Sequence, residues 1–206
     1  MKPQLLHWMS QDSARLLELT SQKNRKFFPI PARALAYIIR MLGYRLSWSD
    51  HLPEDVYAYT NFDAREVVIA RDLRRRLVYP EAARGVIHAS LAHELGHIRM
   101  HARQARQGKR GLHWEREAHA YACALLVPYR DVMAQPETQV LRAGLLQDQE
   151  SLWKQVLRLA ERYEVTGALM ACALERYGII KVHSKTRVIR ACPILWQRAR
   201  RVPRVA

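Results

Sequence analysis

The chain is 206 residues long, 49% hydrophobic and 26% charged, which is enough for one domain with a sizeable core, or one domain plus a small appendage. Those proportions exclude a disordered tail protein, a collagen and a disulfide-stapled miniprotein. The net charge is +15, and residues 181–206 hold eight cations and no anion, which suits nucleic acid, an acidic partner or an anionic surface and equally an arginine-rich genome.

In chain order, residues 14–19 read as a short helix and residues 21–31 as a polar, proline-bounded connection. Pro31 then opens a helix running to about Leu42, because Leu35, Ile38, Ile39 and Leu42 keep the 3.6-residue period and Gly43 follows. The period next shortens. Residues 44–48, 56–60 and 67–70 are β-branched or aromatic runs, with Asn61-Phe62-Asp63-Ala64-Arg65 as a turn between the last two. A small antiparallel sheet is expected. Pro80 and Glu81 open a long helix that the glycines of 107–111 break, and a further helix over 114–126 ends at Pro128. A boundary is expected within 134–149. Residues 152–162 and 166–177 then form two helices joined at 163–165, a helix-turn-helix shape stopped by Gly178. From His183 the chain is basic and contains Pro193 and Pro203, so it is expected to be poorly ordered or dependent on a partner.

No window reaches the ~18 apolar residues of a membrane span, and residues 1–20 lack the apolar stretch of a secretory signal. Cys123, Cys172 and Cys192 are odd in number and far apart along the chain, forming neither a CxxC site nor a disulfide framework. A reducing, cytoplasmic location with no membrane partner is the expectation.

The informative residues are His93-Glu94-Leu95-Gly96-His97, an HExxH motif inside the long helix. Positions i and i+4 share a helix face, so His93 and His97 can offer two imidazoles to one ion. Glu94 projects beside that ion, placed to take a proton from water. Zn²⁺ suits such a set, since imidazole nitrogen binds it at ~2.0–2.1 Å and tetrahedral geometry leaves a position open. A third ligand is needed. The HExxHxxGxxH solution fails, because Met100 and Arg103 stand where Gly and His would be required. An acidic residue on the following helix is the alternative. Glu115 and Glu117 lie 18 and 20 residues beyond His97, past a glycine-containing loop that lets the chain reverse. Glu115 ranks ahead of Glu117 because it has His119 one turn later, a polar neighbour that could orient a ligand imidazole. His101 continues the row from His97 but would strain a three-imidazole site, His113 reads as loop surface, and His88 as helix packing or surface.

These residues resemble the ImmA/IrrE metallopeptidases. The resemblance rests on Leu91-Ala92-His93-Glu94-Leu95-Gly96-His97, followed by Glu115-Arg116-Glu117-Ala118-His119-Ala120-Tyr121-Ala122 and Leu125-Leu126-Val127-Pro128. It extends more weakly over residues 35–180. It implies one zinc ion per chain held by His93, His97 and Glu115, with Glu94 as catalytic acid and base. It also implies an α+β fold: a small antiparallel sheet packed on a zincin-like helical core, with a helix-turn-helix-like module at the C-terminal side. The corresponding organisation is an N-terminal helical extension (1–30), the metallopeptidase core (31–135), the helical module (136–182) and a basic tail (183–206). Several family members cut Xre-type helix-turn-helix repressors, switching on stress-response or mobile-element genes. The implied partner is therefore a DNA-binding repressor as protein substrate, with nucleic-acid contact through the basic tail as a further possibility. His119 departs from the Asp or Asn usual in the family, which opens the way to altered metal affinity or a fourth ligand.

Tyr121, Tyr129, Tyr163 and Tyr177 are available to stabilise an oxyanion, and nothing in the sequence selects among them. Strand 67–70 is a candidate for pairing with substrate by its edge, against the alternative of an ordinary core strand. The rival function is a DNA-binding regulator that reads bases with residues 152–177 and has a structural or sensory metal. Against it, Thr166-Gly167-Ala168-Leu169-Met170-Ala171 is small and apolar.

Overall fold

Proline and glycine bound the first helix where the sequence indicates. In the computed structural model, which describes residues 11–12, 15, 29–77, 83–144, 146, 148–183 and 188–191, α1 (Ala32–Met41) starts directly after Pro31 and buries Leu35, Ile38 and Ile39. Gly43 takes φ of +82°, a conformation that costs other residues a steric clash at Cβ, and so turns the chain into the sheet. The helix expected at 14–19 lies, apart from Arg15, outside the described residues.

Three strands follow: β1 (Arg45–Ser49), β2 (Ala58–Asn61) and β3 (Glu66–Ala70). Their order is β1-β3-β2. β2 and β3 form the expected hairpin, with Ala58 opposite Ile69 and Asn61 opposite Glu66. Its turn is fixed by the Ala64 N–H donating to Asn61 Oδ1 at 3.0 Å and by Arg65 at φ +48°. β1 pairs with β3 in parallel, Arg45 opposite Glu66 through Ser49 opposite Ala70. The sheet is thus mixed, where an antiparallel one was expected. Side-chain alternation is the same for both pairings. The difference lies in the link 50–57, which carries the chain past the end of β3 to its far side. β3 is consequently the central strand, with Val67, Val68, Ile69 and Ala70 all buried, the continuous apolar run of a strand covered on both faces. It has no edge to offer a substrate. Among the described residues, the edge strands of this sheet are β1 and β2.

A short helix, α2 (Leu73–Arg76), leads towards α3 (Ala83–Ala105), which is buried along much of its length. Its buried residues include Val86, Leu91, Leu95 and Ile98 but also His88, Glu94, His97 and His101. A helix surrounded by protein shows no clean amphipathic stripe. It packs closely on α4 (Trp114–Leu126), which Pro128 follows. The stretch 134–149, expected to contain a boundary, holds α6 (Pro136–Ala143), after a single turn, α5 (Tyr129–Met133). Pro136 starts α6 and Gly144 ends it at φ +67°.

α7 (Gln149–Arg162) and α8 (Gly167–Arg176) form the expected helix-turn-helix pair. Asp148 and Thr166 cap them, accepting from the Ser151 and Leu169 backbone N–H groups at 2.7 and 3.1 Å. α8 buries Leu169, Met170, Ala171, Ala173 and Leu174 and packs on α4. One hydrophobic cluster runs from Ile30 to Ile180. β4 (Ile180–Val182) pairs antiparallel with β5 (Ile189–Ala191), so part of the stretch expected to lack order forms a hairpin. Residues 192–206, most of the basic tail, lie outside the described residues. Among the described residues no helix is long and apolar enough to cross a membrane.

Candidate metal centre

The close approach of α3 and α4 begins with a missing side chain. Gly96, inside the HExxH motif, faces Ala118 of α4, and a Cβ built there would meet the Ala118 carbonyl oxygen at 2.9 Å, its Cα at 3.0 Å and Tyr121 Cβ at 3.1 Å. Backbone atoms cannot give way as a flexible side chain does. Gly96→Ala should therefore push the two helices apart. Overpacking costs about 1–3 kcal/mol and alanine returns about 1 kcal/mol of helix propensity; contact with backbone atoms puts the cost at the upper end of that range, leaving a net destabilisation of about 2 kcal/mol. Denaturant titration measures this directly; an unchanged or raised midpoint would show that the contact is not tight.

With the helices at this distance, His93 and His97 from α3 meet Glu115 from the first turn of α4. The Nε2 atoms of the two histidines are 3.0 Å apart. Glu115 Oε2 lies 3.1 Å from His93 Nε2, and Oε1 lies 3.2 Å from His97 Nε2. Three donor side chains thus surround one point. These separations approach the roughly 3.3–3.4 Å between ligand atoms of a tetrahedral zinc ion bound at ~2.0–2.1 Å. Burial holds both imidazoles neutral, as ligation requires. Desolvation and then the neighbouring His93 pull His97 down to about 4, opposed by Glu115. Desolvation also lowers His93, again against Glu115. The donor set fits zinc.

Behind His97 runs a chain of hydrogen bonds that sequence reasoning missed. His97 Nδ1 is 3.2 Å from His101 Nδ1, and His101 Nε2 is 3.2 Å from Glu117 Oε2. Glu117 as a carboxylate can only accept, so His101 carries its proton on Nε2 and presents a lone pair at Nδ1. His97 then donates from Nδ1, which leaves its Nε2 lone pair aimed at the three-donor point. The His101 ring is held flat against Trp114, with centroids 4.6 Å apart and planes at 4°. The row His93, His97, His101 was visible in the sequence. Only the α3–α4 packing separates the two histidines that meet Glu115 from the third, which hydrogen-bonds to His97.

Glu94 is 4% exposed and is not part of the three-donor group. Thr60, on the edge strand β2, donates its hydroxyl to Glu94 Oε2 at 2.7 Å. Burial pushes the Glu94 carboxyl up to about 7, and the Thr60 bond holds it lower than burial alone would. That suits a group which must both take and return a proton near neutral pH.

The remaining candidates are engaged elsewhere. Tyr121 is fully buried and donates to Asp12 at 2.7 Å; Asp12 also accepts from Arg99 Nε at 2.9 Å. Tyr163 donates to Asp131, and Tyr177 donates to the Val127 carbonyl at 2.6 Å. Tyr129 packs edge-on against Tyr177. The open cleft over the three donors is lined instead by Tyr57, Tyr59, Thr60 and Trp114. His88 is buried, with Nδ1 3.0 Å from the Glu164 carbonyl, a packing role. His113 sits exposed at the start of α4. His119 stands beside His93, ring centroids 6.4 Å apart, but its ligating nitrogen groups with Cys123 and Cys172.

Residues 82–175 match the Peptidase_M78 family, the IrrE N-terminal-like domain. The match covers α3 through nearly all of α8 and bears out the resemblance read from the two motifs. No curated protein matches the chain. Among solved structures, a Mycobacterium tuberculosis transcriptional regulator shares the fold, with a TM-score of 0.51 at 13% identity over 91% of this chain and 50% of that one. The chain thus spans half the length of that structure.

Proposed function

From the IrrE N-terminal-like peptidase domain over residues 82–175, we propose that the chain is a zinc-dependent endopeptidase acting in the cytoplasm on a helix-turn-helix repressor. The observation that carries the reading is the meeting of His93, His97 and Glu115 at one point, with the buried Glu94 carboxyl alongside. His93, His97 and Glu115 would hold one zinc ion, which supplies Lewis-acid polarisation and lowers the pKa of water towards ~7. Glu94 takes the proton of the attacking water and returns it to the leaving amine. Thr60 fixes the Glu94 carboxylate through Oε2. β2 presents its outer edge to the cleft, where an extended segment of substrate pairs with backbone groups.

The rival DNA-reading role for α8 is disfavoured by what that helix exposes. Its exposed positions are Ala168 and Glu175, neither of which neutralises a phosphate. The repressor assignment follows from the family resemblance. The metal-loaded protein should be incubated with an Xre-type repressor encoded beside its gene. A single discrete cut, abolished by chelation, is expected; an intact repressor would refute that substrate.

Thr60→Val tests the support of Glu94. Losing a hydrogen bond to a charged group costs about 1.5–3 kcal/mol, so kcat/KM at neutral pH should fall roughly 10- to 100-fold. The lost bond favoured the carboxylate. Its removal raises the Glu94 pKa, and the acidic limb of the pH–rate profile should move to higher pH. An unmoved limb would separate Thr60 from Glu94.

A further inference from the structure

Glu115, His119 and Cys123 are spaced i, i+4 and i+8, so they step along one face of α4. The first belongs to the metal centre above. The other two face Cys172 of α8, and the ligating atoms of His119, Cys123 and Cys172 all lie within 4.8 Å of one another. Sequence spacing hid this group, since Cys123 and Cys172 come together only when α8 packs on α4. Neither cysteine is in a disulfide; Cys123 is buried and Cys172 half-buried. We propose that His119, Cys123 and Cys172 form a second metal site, separate from the first, that takes a thiophilic d¹⁰ cation, Zn²⁺ or Cu⁺.

Two thiolates and an imidazole are the donors such ions select. A bound ion with Zn–S of ~2.3 Å and Zn–N of ~2.0–2.1 Å sets its ligand atoms roughly 3.5–3.8 Å apart, which rotamer adjustment within this group reaches. The bond between the two thiols acts in opposite directions: with His119 and Arg176 it holds the Cys172 thiol well below its ordinary range, and with burial it pushes the Cys123 thiol well above, so a bound ion must displace the Cys123 proton. Arg176 Nε donates to Cys172 Sγ at 3.4 Å. Two thiolates with a cuprous ion carry one net negative charge, which Arg176 offsets; with Zn²⁺ the set is neutral. Three protein donors complete a trigonal cuprous site, or leave zinc a fourth position for water. His119 also lines the cleft, which gives an ion a path inward.

The first centre contains no sulfur, so cobalt(II) distinguishes the two. The full chain, reduced and metal-free, is titrated with Co²⁺ while the near-ultraviolet thiolate-to-cobalt charge-transfer band and the bound stoichiometry are recorded. Two ions per chain and a charge-transfer band are expected. Cys172→Ser should remove the band and one ion, whereas His93→Ala should remove one ion and keep the band. Cys192→Ser should keep both. Displacement of cobalt from the thiolate site by Zn²⁺, or by Cu⁺ under anaerobic conditions, identifies the preferred ion. Absence of the band in the reduced parent protein overturns the site, as does a band that survives Cys172→Ser. A band that disappears in Cys192→Ser overturns it too. No band in the reduced protein, together with a Cys123–Cys172 disulfide after peroxide treatment, would replace the metal site with a redox pair.

Discussion

Replacing Glu94 with glutamine should abolish peptide cleavage while leaving metal content and folding intact. The two side chains have nearly the same shape, so the amide fills the same buried space and can still accept from Thr60, which lies 2.7 Å from Oε2. It cannot take a proton from water. A positioned general acid–base group contributes about 10²–10⁴-fold, and kcat should fall by that factor. Glu94 stands apart from the three donors, so metal stoichiometry should equal that of the parent. The burial that raises the carboxyl pKa also makes a neutral amide easier to accommodate there, and thermal stability should hold or rise. Cleavage by Glu94→Gln at the parent rate would move the general base elsewhere. Loss of metal in this variant would instead make Glu94 a ligand.

Local features are the ones a sequence carries well. Pro31, Gly43, Pro128 and Gly178 mark boundaries because φ restriction acts on single residues. The i, i+4 relation of His93 and His97 needs no tertiary information once the helix is granted. The sheet was harder. Residues 45–49 alternate in the same way whether paired parallel or antiparallel with residues 66–70, and the choice is made by the link 50–57 crossing to the far side of β3. α6 is hidden in the sequence although Pro136 and Gly144 bracket it, because its eight residues bury only Thr138 and Leu141 and offer too few apolar positions for a period to be read.

At the site, the same contrast separates the motif from its supports. Thr60 lies 34 residues from Glu94, and no spacing rule links a strand hydroxyl to a helix carboxylate. His101 was set aside as a strained third imidazole. Its place as the partner of His97 depends on Glu117 and Trp114 arriving from α4. The tyrosines illustrate the converse. Four are candidates for the oxyanion, and specific hydrogen-bond partners for the buried Tyr121 and Tyr163 and the half-buried Tyr177 tie those three to the core.

Glu115→Ala and Glu117→Ala should differ in kind, although the residues are two apart on one helix. A two-residue step rotates the side chain by about 200°, and the two carboxylates accordingly meet different histidines. Glu115 reaches His93 and His97 at 3.1 and 3.2 Å, while Glu117 reaches His101 at 3.2 Å. Removing Glu115 deletes one of the three proposed ligands and the one carboxylate among them. Zinc affinity should collapse by more than the roughly 10–100-fold typical of changes behind the ligands, and cleavage should vanish with it. Glu115 is 81% exposed on its side chain, so the fold should not suffer. Removing Glu117 leaves all three ligands in place and frees His101 to present either nitrogen to His97. The wrong tautomer of His97 then competes for the lone pair at Nε2, and zinc affinity should fall within that 10–100-fold range. Glu117→Gln should restore only part of it, since an amide oxygen can accept from His101 but carries no charge. Competition against a chromophoric chelator gives both affinities on one scale. Equal losses for the two alanine variants would place both carboxylates in one shell, and the reverse order would exchange their roles.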